Sequence, residues 1–268
     1  MFFAVDIGNS NIVIALMDST GRIVASKRLV TDKQGTAGSF YIGIRKAFGL
    51  SEDDKKMNID SKIIPLEDIE GAVISSVVPE VTDQISEAME LLTSKKALVV
   101  NYQTDMGIRI AMEHPDKVGI DLLVDAVAAT MEYSGKVVIF DMGTATTCSV
   151  IDEGVYLGTI IIPGIGISNE ALTQKASQLP KVELKAPKNL IGKNTIESMQ
   201  SGIIYANAAM LDGLVKRVED SLGAEVTVIA TGGIAGLIIP HCERHMVYEP
   251  DLLLKGLWNI YDKFSNRE

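Results

Sequence analysis

Cysteine, aromatic residues and long apolar runs are scarce in this sequence of 268 residues. Its two cysteines, Cys148 and Cys242, do not form a Cys-x-x-Cys motif, so neither a disulfide framework nor a cysteine metal site is predicted. No stretch is long and uniformly apolar enough to span a bilayer, and no basic segment precedes the first predicted strand. We therefore expect a cytoplasmic protein without a membrane partner.

Positive charge is also in short supply. The chain has 25 Lys and Arg against 35 Asp and Glu, which gives a formal net charge of -10. A non-specific nucleic-acid binder needs a basic surface to displace counterions, so nucleic acid is not an expected partner. A nucleotide would be repelled at long range as well, so its binding must depend on backbone amides, helix N-termini, a few lysines and a metal. Mg²⁺ is the expected cofactor.

One short pattern occurs twice, in the segments Ala4–Asp18 and Ile139–Asp152. Each copy reads as an apolar strand ending in Asp-x-Gly, a turn of small residues, and a second strand with alternating apolar positions. Glycine lets the turn close tightly, so that its backbone N–H groups point at a phosphate. The Asp is suited to holding Mg²⁺, which prefers oxygen ligands. The repeat predicts two related halves that face each other across one nucleotide.

The candidate nucleotide-binding residues lie in these two turns and after one later strand. They are Asp6, Gly8, Asn9, Ser10 and Asn11 in the first copy, Asp141, Thr144, Thr146 and Thr147 in the second, and the pair Gly232 and Gly233. A Gly-Gly pair lets a flat base or ribose lie against the backbone, although alone it usually marks only a turn. Each Asp can instead cap its own turn. The presence of both copies favours the binding interpretation.

The pattern of apolar residues predicts an α/β fold in two ribonuclease-H-like domains, with a nucleotide cleft between them. We place the boundary near residue 117, which gives domains 1–117 and 118–268. The first domain is predicted to contain the hairpin, a strand at Gly21–Thr31, a helix at Ser39–Leu50, a charged loop at 51–62, a strand at Gly71–Pro79, a helix at Thr82–Leu92 and a strand at Lys96–Asn101.

The second domain is predicted to repeat this scheme. Its elements are a helix at Gly119–Gly135, the second hairpin, a strand at Val155–Gly164, helices at Ser168–Gln178 and Ile196–Leu222, a strand at Val226–Gly233 and a C-terminal helix at Leu252–Phe264.

The two phosphate hairpins and the Gly-Gly strand together resemble the actin, hexokinase and Hsp70 superfamily. Within it, the chain resembles the type III pantothenate kinases. The motifs that carry this likeness are collinear and span almost the whole chain: DIGNS, SSVVPEV, HPDKVGIDL, DMGTATT, PGIGIS, IGKNTIESMQSG, TGG and EPDLLLKGL. So many motifs in one order are far more specific than any single glycine motif.

This resemblance implies ATP-dependent phosphorylation of the primary hydroxyl of pantothenate, the first step toward coenzyme A. It implies that Asp121 is the general base, that Asp141 holds a monovalent cation, K⁺ or NH₄⁺, and that Thr144 contacts ATP. It also implies that Thr195 contacts the acceptor, in a pocket that the family builds at a homodimer interface. Phosphoryl transfer asks a protein mainly to position the nucleophile and neutralise charge, and one carboxylate suffices to accept the hydroxyl proton.

The sequence departs from the family pattern on the acceptor side, in the stretch that also includes Gly119 and Ile120. Leu122 stands where the family has Arg, and Met112 stands where it usually has Tyr. An Arg beside the base is suited to gripping a carboxylate or phosphate, and Leu cannot do so.

Three hypotheses stay open at this stage. The chain is a pantothenate kinase that compensates for the missing Arg, with Arg109, Lys117 or Lys193 as candidates; or it phosphorylates a different small hydroxy compound; or it is a non-catalytic nucleotide-binding regulator with the same fold. Retention of Asp121 speaks against the third, although an Asp can also cap the helix that starts there.

Overall fold

The computed structural model describes residues 1–50, 54–59 and 62–265. In chain order its strands and helices are β1 (Phe2–Ile7), β2 (Asn11–Met17), β3 (Ile23–Val30), α1 (Ala37–Ala47), β4 (Lys56–Ile59), β5 (Lys62–Pro65), β6 (Ala72–Ser76), α2 (Pro79–Thr93), β7 (Ala97–Val99), β8 (Arg109–Ile110), α3 (Ile120–Glu132), β9 (Lys136–Met142), β10 (Ala145–Asp152), β11 (Val155–Pro163), α4 (Ile165–Lys175), α5 (Thr195–Ser201), a π turn (Gly202–Ala206), α6 (Asn207–Leu222), β12 (Thr227–Thr231), α7 (Ala235–Ile238), β13 (Val247–Tyr248) and α8 (Leu252–Ser265).

The chain divides into two compact units. The first unit contains Met1–Gly107, His114–Ala128 and Leu253–Glu268, and the second contains Ile108–Glu113 and Ala129–Leu252. No helix in the described part of the chain is long and apolar enough to cross a membrane.

The first unit is built on a five-stranded sheet in the order β3-β2-β1-β6-β7. The hairpin strands pair antiparallel, while β1 with β6 and β6 with β7 are parallel. One face of the sheet, which includes Phe3, Val5 and Ile74, packs with α1 and α2 into a buried apolar cluster. The central parallel strands are therefore rich in β-branched and apolar residues, as the sequence predicted.

The second unit repeats this arrangement in the strand order β13-β12-β9-β10-β11-β8. The order β11-β10-β9-β12-β13 in this sheet matches the order β3-β2-β1-β6-β7 in the first sheet, strand for strand. The two-residue strand β8 is an addition beside β11. A second apolar cluster, with Phe140 and Ala230 from the sheet and Leu211 from α6, covers one face. The predicted duplication of an α/β half is confirmed.

Several predicted element boundaries shift for local reasons. α2 begins at Pro79 rather than at residue 82, because proline fits the first helical position, where its missing N–H costs nothing. α4 begins at Ile165, three residues before the predicted Ser168. The predicted helix 196–222 is one helical run with a π turn in its middle.

The predicted charged loop at 51–62 is wrong in part. Its residues 51–53, 60 and 61 lie outside the described residues, but Lys56–Ile59 forms β4 and pairs with β5. Met57 on β4 and Ile64 on β5 are both buried in the first unit's core. Two four-residue strands with few apolar residues among lysines are a weak sequence signal, so the hairpin became visible only from its packing.

The two units differ from the continuous halves 1–117 and 118–268. The C-terminal helix α8 belongs to the first unit, where Tyr261 stacks on Phe2 with ring centroids 4.3 Å apart, and Lys263 forms an ion pair with Asp105 at 2.8 Å. Residues 120–128 of α3 also belong to the first unit. An amphipathic pattern shows that a helix has an apolar face, but it does not show which sheet that face covers.

Candidate active site

The first Asp-x-Gly turn is held in place by hydrogen bonds from the end of β3. Gly8 N donates to the Asn11 carbonyl at 3.0 Å, which closes the turn. Thr31 Oγ1 donates to the Gly8 carbonyl at 2.6 Å, and Thr31 N donates to the Ser10 carbonyl at 3.1 Å. Asn9 and Ser10 remain exposed at the tip. The turn is therefore rigid in its backbone and open to a ligand.

Asp6 is half-buried near the end of β1, and its register partner on the parallel strand β6 is Ser75. Residues at matching positions of neighbouring strands point to the same face of a sheet. The Ser75 hydroxyl is fully buried and has no hydrogen-bond partner among the described residues, which costs about 1–3 kcal/mol if nothing binds there. A carboxylate with a buried, unused hydroxyl beside it is an oxygen donor set that fits a hydrated Mg²⁺.

The second turn has the same sequence pattern but is one residue shorter. Gly143 N donates to the Ala145 carbonyl at 3.0 Å, whereas the first turn closes from Gly8 to the residue three positions on. Thr144 is exposed at the tip. The duplicated motif therefore gives two related turns that are not identical.

Asp141 lies near the end of β9, at the position that corresponds to Asp6. Its antiparallel partner is Thr147, whose Oγ1 is buried with no hydrogen-bond partner among the described residues, and its parallel partner is Thr231. The carboxylate and the hydroxyl provide oxygen ligands of the kind that an alkali cation needs. Thr146, by contrast, is 1% exposed, so its side chain lies in the interior rather than at the turn surface.

Gly232 packs directly against the Asp141 carboxylate. It has φ +90°, and a Cβ added to it would lie 2.7 Å from Asp141 Oδ1 and from the backbone of Met142. A Cβ added to Gly233 would have nothing within 4 Å. The Gly-Gly pair therefore has two separate roles: the first glycine permits close packing on the second hairpin, and the second leaves a free backbone surface.

Asp121 lies in the first turn of α3, and its carboxylate folds back over Gly119. Oδ1 accepts a hydrogen bond from Leu122 N at 2.9 Å, and a side chain at position 119 would collide with the same oxygen. Burial raises the pKa of Asp121 above the ordinary 3.8, and the hydrogen bond from Leu122 N opposes part of that increase. The group is thus a positioned carboxylate with raised proton affinity, as a general base requires.

The departures from the family pattern fall in different surroundings. Leu122 is buried, with 7% of its surface exposed. Met112, in the second unit, is half-buried, with its sulfur 3.6 Å from a Cβ position at Gly158. Ile120 is half-buried. Three basic residues were proposed as replacements for the missing Arg. All of them are exposed: Arg109, Lys117 and Lys193.

Thr195 is the first residue of α5, after the N-cap Asn194, whose side chain accepts from Glu197 N at 2.9 Å. It lies at the mouth of a cavity of about 390 Å³ between α4 and the helical run from α5 to α6. All the lining residues belong to the second unit.

Sequence reasoning missed Thr31, Ser75 and Asn169. Thr31 is the last residue of a predicted strand, Asn169 directly follows a recognised motif, and Ser75 lies inside one but carries no charge. A buried hydroxyl or amide becomes a candidate only when its lack of a partner is visible, and that information is tertiary.

Two sheets of matching strand order, each with an Asp-x-Gly hairpin at its centre, define a protein of the actin-like ATPase fold. Solved structures of low identity share it. A conserved putative Baf family transcriptional activator from Campylobacter jejuni has a TM-score of 0.58 and 16% identity, covering 99% of this chain and 100% of that one. An activator of 2-hydroxyisocaproyl-CoA dehydratase from Clostridium difficile, with bound ADPNP, has a TM-score of 0.53 and 14% identity, covering 99% and 97%.

Sequence similarity identifies the family. A family model described as type III pantothenate kinase matches residues 2–217. A type III pantothenate kinase of an Exiguobacterium species is 39% identical over 264 residues, which cover 98% of this chain and 99% of that protein. The one from Bacillus cytotoxicus is 36% identical over 264 residues, covering 98% and 96%. The chain belongs to the type III pantothenate kinase family.

Proposed function

We propose that this protein transfers the γ-phosphoryl group of ATP to the primary hydroxyl of pantothenate, the first step of coenzyme A biosynthesis. The hydroxyl oxygen forms a bond to the γ-phosphorus while the bond from that phosphorus to the bridging oxygen of ADP breaks. Asp121 takes the proton of the attacking hydroxyl. The products are ADP and 4'-phosphopantothenate.

The observation that carries this proposal is the Asp121 carboxylate. Its Oδ1 accepts a hydrogen bond from Leu122 N and lies so close to Gly119 that a Cβ there would collide with it. Burial raises the pKa of this carboxyl group. A higher pKa makes the carboxylate a better proton acceptor.

The two hairpins are proposed to bind the phosphates of ATP through the backbone and side chains of Gly8, Asn9, Ser10, Asn11 and Thr144. Asp6, with the Ser75 hydroxyl beside it, is proposed to hold the hydrated Mg²⁺ that neutralises phosphate charge. Asp141 and Thr147 would hold the monovalent cation.

Gly232 and Gly233 are proposed to lie against the adenosine. The acceptor side of the site is proposed to be formed by Gly119, Ile120, Met112, Leu122 and Thr195. Leu122 is buried, so we expect it to shape the surroundings of α3 rather than to touch the acceptor's charged group.

A homodimer is supported by the distribution of exposed apolar residues. Eight of the sixteen exposed large apolar side chains in the described part of the chain fall within residues 157–196. They are Leu157, Ile160, Ile161, Ile167, Leu172, Leu190, Ile191 and Ile196. Such a concentration is typical of an interaction surface. Cytoplasmic location stays a prediction, which cell fractionation would test.

A kinase for a different small hydroxy compound is the second candidate. It is favoured by Leu122, because the guanidinium that would bind a carboxylate or phosphate is absent there.

The proposal is tested by measuring ADP release with purified protein, Mg²⁺ and K⁺. The reactions contain pantothenate, each of a panel of small hydroxy acids, or no acceptor. Pantothenate-stimulated turnover supports the proposal. Turnover with another hydroxy acid and none with pantothenate would assign the second candidate, and ATP binding without any acceptor-stimulated turnover would indicate a nucleotide-binding regulator.

A further inference from the structure

One position relative to the hairpin recurs in both units, directly after the third strand. We call the turns Gly8–Asn11 and Gly143–Ala145 the phosphate turns. In each unit the residue that closes the phosphate turn lies opposite the last residue of the third strand: Asn11 opposite Val30 of β3, and Ala145 opposite Pro163 of β11. The next residue is Thr31 in the first unit and Gly164 in the second, so the repeat makes these two positions equivalent.

Thr31 holds the first phosphate turn with a side-chain and a backbone hydrogen bond. Its Oγ1 donates to the Gly8 carbonyl at 2.6 Å, and its N–H donates to the Ser10 carbonyl at 3.1 Å. A trans peptide holds its C=O and N–H on opposite sides, so the bond to the Gly8 carbonyl also turns the Asn9 N–H away from Thr31. No residue in the described part of the chain accepts a hydrogen bond from that N–H. The Thr31 hydroxyl therefore orients a donor that is left for a ligand.

Gly164 holds the second phosphate turn by close packing instead. A Cβ added to Gly164 would lie 2.7 Å from the Gly143 carbonyl oxygen and would collide with the Thr144 carbonyl as well. The φ of -63° at Gly164 suits any residue, so contact with the turn, and not backbone conformation, requires glycine at this position. The third strand of each unit thus ends in a residue that fixes carbonyl groups of the phosphate turn.

We propose that Thr31 and Gly164 are positioning residues for nucleotide binding, each fixing the phosphate turn of its own unit. The inference rests on the proposed binding of ATP phosphates by the two turns. Thr31 acts through the peptide between Gly8 and Asn9, and Gly164 acts through the backbone of the second turn. A turn whose N–H groups are already aimed binds an anion without first losing conformational freedom, so both residues increase nucleotide affinity.

The first test removes the Thr31 hydroxyl while nearly keeping the shape of the side chain. Thr31→Val is expected to weaken the binding of ADP and of a non-hydrolysable ATP analogue about threefold to tenfold in titration calorimetry, because the Gly8 carbonyl loses its donor. Thr31→Ser keeps the hydroxyl and should bind both nucleotides within about twofold of wild type. Wild-type affinity in Thr31→Val, or an equal loss in Thr31→Ser, would overturn the assignment of Thr31.

Thr20→Val is the matched control for this test. The Thr20 hydroxyl donates to Asp18 Oδ1 at 2.7 Å in the turn between β2 and β3, at the end of β2 that is remote from Gly8. Its removal deletes a hydrogen bond of the same kind and leaves the phosphate turn untouched, so nucleotide affinity should stay at the wild-type value. Equal losses of affinity in Thr20→Val and Thr31→Val would reveal a general effect of stability and would contradict the inference.

The second test concerns Gly164. Gly164→Ala places a methyl group against the carbonyls of the second phosphate turn and is expected to weaken ADP binding about tenfold or more. Gly166→Ala is its control, because Gly166 is exposed on α4 and a Cβ there would have nothing within 4 Å. Both variants are measured at a temperature at which circular dichroism shows native folding. Equal ADP affinity in the two variants would overturn the assignment of Gly164.

Steady-state kinetics separate positioning from a structural role. Thr31→Val should raise the KM for ATP about threefold to tenfold and leave the KM for pantothenate unchanged, because the hydrogen bonds of Thr31 are made to the phosphate turn. A lower Tm with an unchanged KM for ATP would assign Thr31 a structural role and refute the inference.

Failure of the kinase proposal is distinguishable from failure of this inference, since nucleotide binding is measured without an acceptor. If the wild-type protein binds ADP but phosphorylates no acceptor, the calorimetric comparison of wild type, Thr31→Val and Thr31→Ser still decides the inference. If the wild-type protein binds neither nucleotide, the inference is wrong.

Discussion

Asp121 is proposed to be the general base, and its burial also affects stability. Burial raises its pKa, so the folded state holds the proton more tightly than the unfolded chain does. Stability from this group is therefore fully present below the unfolded pKa near 3.8 and is lost as pH rises through the folded pKa. Above the folded pKa the ionised, partly dehydrated carboxylate works against folding.

The substitution Asp121→Asn should separate these two effects. Asn keeps the shape and an oxygen that accepts from Leu122 N, but it cannot take a proton, so kcat should fall by about 10²–10⁴-fold. The same variant should have a higher Tm than wild type at pH 7, and the difference should disappear below about pH 3.8. Calorimetry across pH with parallel rate measurements checks both. A Tm that falls at pH 7 would contradict the burial argument.

Wild-type activity should show the same raised pKa on the acid side. As pH falls through the Asp121 pKa, kcat/KM should decline, with its midpoint above the 3.8 of an ordinary aspartate. A pH profile at saturating Mg²⁺ measures this midpoint. Activity that is constant down to pH 4 would show that another group accepts the proton.

Gly119 determines where the Asp121 carboxylate lies. Gly119→Ala places a methyl group against Asp121 Oδ1 and should displace the carboxylate, so kcat should fall by about ten- to a hundredfold while the protein stays folded. Gly43→Ala is the matched control, because nothing lies within 4 Å of a Cβ there in α1. The control should gain about 0.5–1 kcal/mol of stability and keep full activity, as judged by urea unfolding and ADP release.

At the scale of elements, the duplicated hairpins provide an internal comparison. The turns after β2 and after β10 contain Gly21 and Gly154, which have φ values of +80° and +72°. A Cβ at Gly21 would lie 2.6 Å from the Trp258 ring on α8, whereas a Cβ at Gly154 would meet nothing within 4 Å. Equivalent turns therefore carry the same backbone requirement but different packing.

This difference predicts unequal stability losses. Gly154→Ala should cost about 1–2 kcal/mol from the left-handed conformation alone. Gly21→Ala should cost a further amount of about 1–3 kcal/mol, because the Trp258 ring must move. Urea unfolding followed by far-ultraviolet circular dichroism checks the prediction, because this signal reports on the first unit, which contains Gly21, and on the second, which contains Gly154. Equal losses in the two variants would mean that α8 does not pack on the turn.

The whole molecule is expected to associate through the apolar side chains of residues 157–196. Ile161→Asp, at a site 69% exposed on β11, should convert the protein from dimer to monomer in sedimentation experiments at micromolar concentration. Ile63→Asp is the matched control, since Ile63 is 67% exposed on β5 in the first unit and should leave the dimer intact. A monomeric wild-type protein, or dissociation by both variants, would refute this assignment.

The internal repeat was visible in the sequence because each half must place an Asp at a strand end, a glycine in a tight turn, and β-branched residues along a buried parallel strand. These requirements are local, so the hairpins and most strands and helices, in their order along the chain, followed from the sequence pattern. The β4–β5 hairpin was not predicted because its few apolar residues lie among charged and polar ones, and the burial of Met57 and Ile64 in one core is visible only in the tertiary structure.

Only the tertiary structure decided what each side chain touches. The sequence by itself determined the duplicated α/β fold, the two Asp-x-Gly turns and the position of Asp121 at a helix start. The tertiary structure assigned α8 to the first unit, buried Leu122, and left Ser75, Thr147 and Asn169 with polar oxygens that no described residue satisfies. The physical reason is that periodicity reports local burial, whereas hydrogen-bond satisfaction and helix docking depend on residues far apart in the chain.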